Sequence, residues 1–119
     1  MTGQNSRLTL RIDFGDHGAV GPGKIRLLEA IAEHRSISAA GRALGMSYRR
    51  AWQLVDALNQ TFAQPSVTTQ VGGGGGGGAA LTDFGQELVA AYRAMEKAAT
   101  DATADSRAAL ERKLRPSGT

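Results

Sequence analysis

The chain contains no cysteine, which removes disulfides, thiolate metal sites and thiol nucleophiles together. Its two histidines, His17 and His34, are too few to hold zinc without several carboxylates, and they read as an ordinary turn residue and an ordinary helix-end residue. Aromatic residues make up only 5% of the 119 positions. No apolar run approaches the roughly 20 residues that span a bilayer, and the N-terminus lacks the basic-then-apolar order of a secretory signal. No nucleophile–base pair or metal cluster is evident, so an enzyme is not expected, and neither is a metal or cofactor. Acid is also absent where base is plentiful: residues 34–55 hold Arg35, Arg42, Arg49 and Arg50 without one Asp or Glu.

The formal net charge is +3. Residues 1–60 carry eight basic and five acidic side chains and residues 61–119 carry six of each, so the whole excess lies in the first half. Eleven of the fourteen basic residues are arginine, whose planar fork matches phosphate and guanine edges. From charge alone a solvated helix face and a nucleic-acid surface are equally good readings. Of sixteen glycines, seven form one run, Gly72, Gly73, Gly74, Gly75, Gly76, Gly77 and Gly78. The remainder has ordinary glycine content, which excludes collagen-like and low-complexity classes.

Periodicity orders the rest. Leu8, Leu10, Ile12 and Phe14 alternate with polar residues, as a half-buried strand requires. Pro22, after Gly21, suits a first helical position, and Ile25, Leu27, Leu28, Ile31 and Ala32 give helical spacing over 22–34. Ser36 caps a short helix of tiny residues up to Leu44, and Gly45 stands where a helix end needs positive φ. Ser47 caps a further helix over 48–62, with Ala51, Leu54, Val55, Leu58 and Phe62 on its buried line. Strands over 67–71 and 79–81 flank the glycines, making a hairpin with a mobile tip. The run fails as a phosphate-binding loop because no Lys-Ser or Lys-Thr follows it. Thr82 caps a last helix beginning at Asp83, along which Phe84, Leu88, Ala91 and Met95 recur as a narrow seam of the kind that pairs helices.

A short helix, a glycine turn and a second helix form a helix-turn-helix, and a following hairpin adds a wing. The expected fold is mainly α with a small β-sheet: a winged helix-turn-helix with an N-terminal strand, a two-stranded glycine-tipped wing and a C-terminal dimerisation helix. It should occupy residues 1–99, with the dimerisation helix from 83 and a frayed or partly helical tail over 100–119. In such folds the start of the second helix enters the major groove. Ser38, Arg42, Ser47, Tyr48, Arg49, Arg50 and Gln53 are therefore the candidate DNA contacts, arginine for guanine, glutamine for adenine, and hydroxyls for phosphate. Trp52 is assigned to packing between helices.

The run SISAAGRALGMSYRRAW over 36–52 closely resembles the helix-turn-helix of ModE-type molybdate-responsive regulators. Residues 8–14, Gly21-Pro22-Gly23-Lys24, the glycine-rich wing and Leu81-Thr82-Asp83-Phe84-Gly85 are also similar to that family. The resemblance covers roughly residues 7–97, and LysR-type regulators share the same helix-turn-helix. It implies operator binding by a homodimer that pairs largely through its N- and C-terminal elements. The partners expected are double-stranded DNA and a second copy, with no membrane, in a bacterial-type cytoplasm and on the nucleoid when bound. Members that sense molybdate carry two C-terminal oxyanion-binding domains, for which residues up to Thr119 offer no sequence. A stand-alone short form without molybdate binding is expected. The family's wing carries a basic residue that Gly72–Gly78 lacks, so a minor-groove contact by a wing side chain is not carried over. The alternative is a winged-helix adaptor that partners a full-length regulator and has no operator of its own.

Overall fold

The computed structural model describes residues 6–70 and 78–116. Strands β1 (Ile12–Asp13) and β2 (Ala19–Val20) pair antiparallel around a 3-10 turn at Gly15–His17. Helices α1 (Pro22–His34), α2 (Ile37–Ala43) and α3 (Tyr48–Thr61) follow. Strands β3 (Val67–Gln70) and β4 (Gly78–Leu81) then precede α4 (Asp83–Ala102) and α5 (Ala104–Glu111). This is a mainly α winged helix-turn-helix, as the spacing predicts.

Helix α1 is the centre of the core. Ile25, Leu27, Leu28 and Ile31 are fully buried, each contributing about 1.5–3 kcal/mol of burial. Ala30 is buried and Ala32 is exposed, the reverse of the side expected for Ala32. Neighbours on several sides of α1 explain this, because α2, α4 and β4 all pack on it. Helix α3 adds Ala51, Val55 and Leu58, with Leu54 and Phe62 partly buried. Phe62 links β1's flank to α4, its ring centroid 5.4 Å from Phe14 and 5.0 Å from Phe84.

The first strand is shorter than its alternation predicts. Leu8, Leu10, Ile12 and Phe14 are partly buried and their neighbours exposed, yet only Ile12 and Asp13 have ladder partners. The reason is the partner strand: β2 stops at Val20 because Pro22, which has no N–H, starts α1 directly afterwards. The segment before β1 is held by Tyr92 instead, whose hydroxyl donates to the Leu10 carbonyl at 2.7 Å.

The wing pairs Val67 with Leu81 and Gln70 with Gly78. Val71 and residues 72–77, the expected strand end and most of the tip, lie outside the described residues. The hairpin is tied down at its base. The Ala79 N–H donates to the Arg35 carbonyl at 3.0 Å, and the Thr82 N–H donates to that of Ser66 at 3.0 Å. Arg35, at the end of α1, adopts a left-handed conformation with φ 58°, which turns the chain from α1 into α2.

Helix α4 begins against this base. A Cβ at Gly85 would stand 2.1 Å from the Ser66 carbonyl oxygen, so only glycine lets the helix approach the β3 strand so closely. Farther along, Arg93 reaches Glu29 of α1 through two nitrogens at 2.8 and 2.9 Å and Glu96 at 2.6 Å. The Arg93 hydrogen bond holds the Glu29 carboxyl below its ordinary value, aided by the Arg93 and Arg26 charges and opposed by burial. The expected tail also contains helix: α4 runs to Ala102, and α5 follows a bend at Thr103.

Gly85→Ala should destabilise the fold by about 3 kcal/mol or more. Gly23→Ala, in the exposed first turn of α1 with nothing near its Cβ, should gain roughly 0.5 kcal/mol; urea unfolding of both variants checks the pair. Because folding depresses the Glu29 pKa, its stabilisation exists above the ordinary glutamate value of 4.5 and is lost as pH falls through the lower folded value. Glu29→Gln should therefore melt below the wild type at neutral pH, with the gap closing on acidification.

Candidate nucleic-acid interface

The geometry of the helix-turn-helix follows from small residues. A Cβ at Gly41 of α2 would lie 3.2 Å from the Ala51 methyl of α3, so the two helices cross almost backbone to backbone. Gly45 takes φ 73°, as its place after α2 requires, and the Met46 N–H returns to the Gly41 carbonyl at 2.9 Å. The chain can then restart a helix at once. Ser36 accepts from the Ala39 N–H at 3.1 Å, and Ser47 accepts from the Arg50 N–H at 3.0 Å, so both expected caps are made.

These constraints leave the first turns of α3 facing outward. Ser47, Tyr48, Arg49, Arg50 and Gln53 are exposed, as is Arg42 near the end of α2. Ser38 differs: it is partly buried, with its hydroxyl 3.1 Å from that of Ser36. Among the described residues the ion pairs use Arg11, Arg93 and Lys97 and leave out Arg42, Arg49 and Arg50. Three guanidiniums outside any ion pair, in a stretch of chain without Asp or Glu, present their donors to solvent.

Lys24, at the start of α1 where the sequence already offers a phosphate contact, gains a basic neighbour that the sequence does not reveal. Lys24 donates to the Ala19 carbonyl at 2.7 Å, and its ammonium is held below the ordinary lysine value, first by burial and then by the Arg11 and Arg50 charges. Arg11 lies beside Gly21, with its Cβ 3.9 Å from where a glycine Cβ would be. Arg11, just before β1, and Lys24, on α1 and tethered to β2, therefore lie on the flank of Arg50. Thirty-nine residues separate Arg11 from Arg50 in the chain, and no local pattern connects them.

On the other flank, a cleft of about 230 Å³ separates α2 and α3 from the wing, lined by Ser36, Ser38, Tyr48, Trp52, Thr69 and Gln70 among others. Trp52 packs partly against the core, as assigned, and meets the Tyr48 ring edge-on at a centroid distance of 6.2 Å. Of the expected wing tip only Gly78 is described, at the start of β4.

Residues 23–86 match the family described as bacterial regulatory helix-turn-helix protein, lysR family. The chain belongs to that family. The match runs from the start of α1 through the helix-turn-helix and wing into α4. Within this lysR-family domain the helix-turn-helix is of ModE type. The chain is 48% identical over 83 residues to the molybdenum-pterin-binding protein MopA of Rhodobacter capsulatus, covering 70% of this chain and 31% of that protein. It is 42% identical over 91 residues to the molybdenum transport protein ModE of Azotobacter vinelandii, covering 76% and 33%. With the DNA-binding transcriptional dual regulator ModE of Escherichia coli K12 it shares 38% identity over 71 residues, covering 60% and 27%. The chain thus spans about a third of the length of these relatives.

The seam expected on α4 of the lysR-family domain divides in two. Leu88 is 8% exposed and Phe84 is partly buried, both within the protomer's own core. Ala91 and Met95 are exposed, Met95 to 44%. Among the described residues no helix is long and apolar enough to cross a membrane, and no group of His, Asp and Glu could hold a metal ion.

Proposed function

We propose that this chain is the operator-binding part of a ModE-type transcriptional regulator, reading double-stranded DNA as a homodimer. The observation that carries the reading is the acid-free start of α3, where Arg49, Arg50 and Gln53 project from a helix restarted by the Ser47 cap. Arg49 and Arg50 are the guanine readers and Gln53 the adenine reader, while Tyr48 and the Ser47 hydroxyl reach phosphates. Ser38 and Arg42 contact backbone from α2, and Gly72–Gly78 approaches phosphate through main-chain N–H groups alone. The name of the Escherichia coli relative, a DNA-binding transcriptional regulator, supports the same reading.

One reading helix makes few contacts, and a two-fold dimer doubles them across half-sites about 34 Å apart. The exposed Ala91 and Met95 face of α4 is where the second copy packs, with Phe84 and Leu88 supporting it from inside. The work of the protein is regulatory and takes place in the cytoplasm on the nucleoid.

Selection from a random duplex pool should recover an inverted repeat, and failure to enrich any duplex overturns the reading in favour of a protein-interaction adaptor. Arg49→Ala and Arg50→Ala should each cost about 1–3 kcal/mol of binding and relax one base position, with unchanged melting temperature. At roughly five neutralised phosphates, log K should fall with log salt at a slope of about −4 to −5. In sedimentation, Met95→Glu should give a folded monomer, whereas Leu88→Asp should lose the fold, since it buries a charge inside the protomer.

A further inference from the structure

The cleft between α2, α3 and the wing has a property that the reading helix alone does not use. Trp52 lines it, and the indole Nε1 of Trp52 is buried with no hydrogen-bond partner among the described residues. A buried donor left unpaired costs about 1–3 kcal/mol, and native structures rarely carry one without a reason. The cleft's volume of about 230 Å³ lies below the roughly 300 Å³ at which small-molecule pockets begin. Its polar lining consists of hydroxyls and an amide: Ser36, Ser38, Tyr48, Thr69 and Gln70. No carboxylate lines it, so nothing there repels an anion.

Position adds the second argument. With α3 in the major groove and the wing over the adjacent minor groove, the strand dividing the two grooves must pass between α3 and the wing. We propose that this cleft seats one phosphate of that strand, with the Trp52 Nε1–H donating to a phosphate oxygen and the Ser38 and Thr69 hydroxyls beside it. Tyr48, 60% exposed and resting edge-on against the indole, is the side chain with room to turn aside as the phosphate enters. The contact rests on the DNA-binding reading above and adds to it a residue that reads no base. It anchors the start of α3 to the sugar-phosphate backbone. An interaction that positions the helix raises affinity for every sequence alike.

Trp52 is the chain's one tryptophan, so a ¹⁵N spectrum of the full chain contains a single indole N–H signal. Titration with the selected duplex should move that signal downfield, and inorganic phosphate alone at the same phosphate concentration should not. Trp52→Phe keeps the ring and removes the donor. It should weaken duplex binding roughly tenfold, the worth of one hydrogen bond to a charged group, with base preference, salt slope and melting temperature retained. In a scan of single methylphosphonate substitutions, one position should weaken the wild type and leave Trp52→Phe unaffected. An indole signal that stays still while α3 amides shift, or wild-type affinity in Trp52→Phe, overturns the proposal. The same shift with inorganic phosphate alone overturns it in favour of a free oxyanion site. A wild-type chain that binds no duplex overturns the DNA reading itself, a result distinct from tight binding that ignores Trp52.

Discussion

The close crossing of α2 and α3 at Gly41 and Ala51 is the constraint on which the outward face depends. With 3.2 Å between the Ala51 methyl and where a Gly41 Cβ would be, a side chain on the α2 side would press on α3 and shift it by a few tenths of an ångström. This crossing fixes where α3 points. Gly45 and the Ser47 cap then let α3 begin immediately, and the face of its first two turns opposite Ala51 is left exposed. Exposure of Arg49, Arg50 and Gln53 is thus a consequence of packing behind them. Among the described residues these arginines form no ion pair, and residues 34–55 hold no carboxylate to compete for them.

The wing is bound into the same frame through main-chain groups. The Arg35 carbonyl receives the Ala79 N–H, and the Ser66 carbonyl receives the Thr82 N–H. Ser66 is also the residue against which Gly85 brings α4. One short stretch of backbone therefore sets the wing relative to α1 and α4 relative to the wing. The cleft beside Trp52 lies between this tethered wing and α2 and α3.

Helix α4 serves two purposes along its length. Its first half is an internal strut: Phe84, Leu88 and Tyr92 enter the core, and Arg93 grips Glu29 of α1 in a two-nitrogen contact. That pair is over a third exposed on both sides, so its value lies in fixing geometry more than in raw stability. The exposed side of the same helix carries Ala91 and Met95, and farther on the ion-paired Lys97 and Asp101.

The order of elements, the three capping hydroxyls Ser36, Ser47 and Thr82, the positive φ at Gly45 and the acid-free arginine stretch are all properties of neighbouring residues and can be read along the chain. Capping and helical period act within four residues and leave a local trace. The features that depend on packing involve residues far apart in the chain. The first strand lost most of its ladder to the early start of α1, and Ala30 replaced Ala32 because α1 has neighbours on several sides. Likewise, Leu88 went to the protomer core while Met95 stayed outside, although a heptad-like seam gives both the same signature. Arg11 and Lys24 come near Arg50 only in the folded chain, and the cleft that Trp52 lines exists only where the wing meets α2 and α3. Periodicity states that a side chain is apolar and on one face; which surface arrives to cover that face is settled by long-range packing.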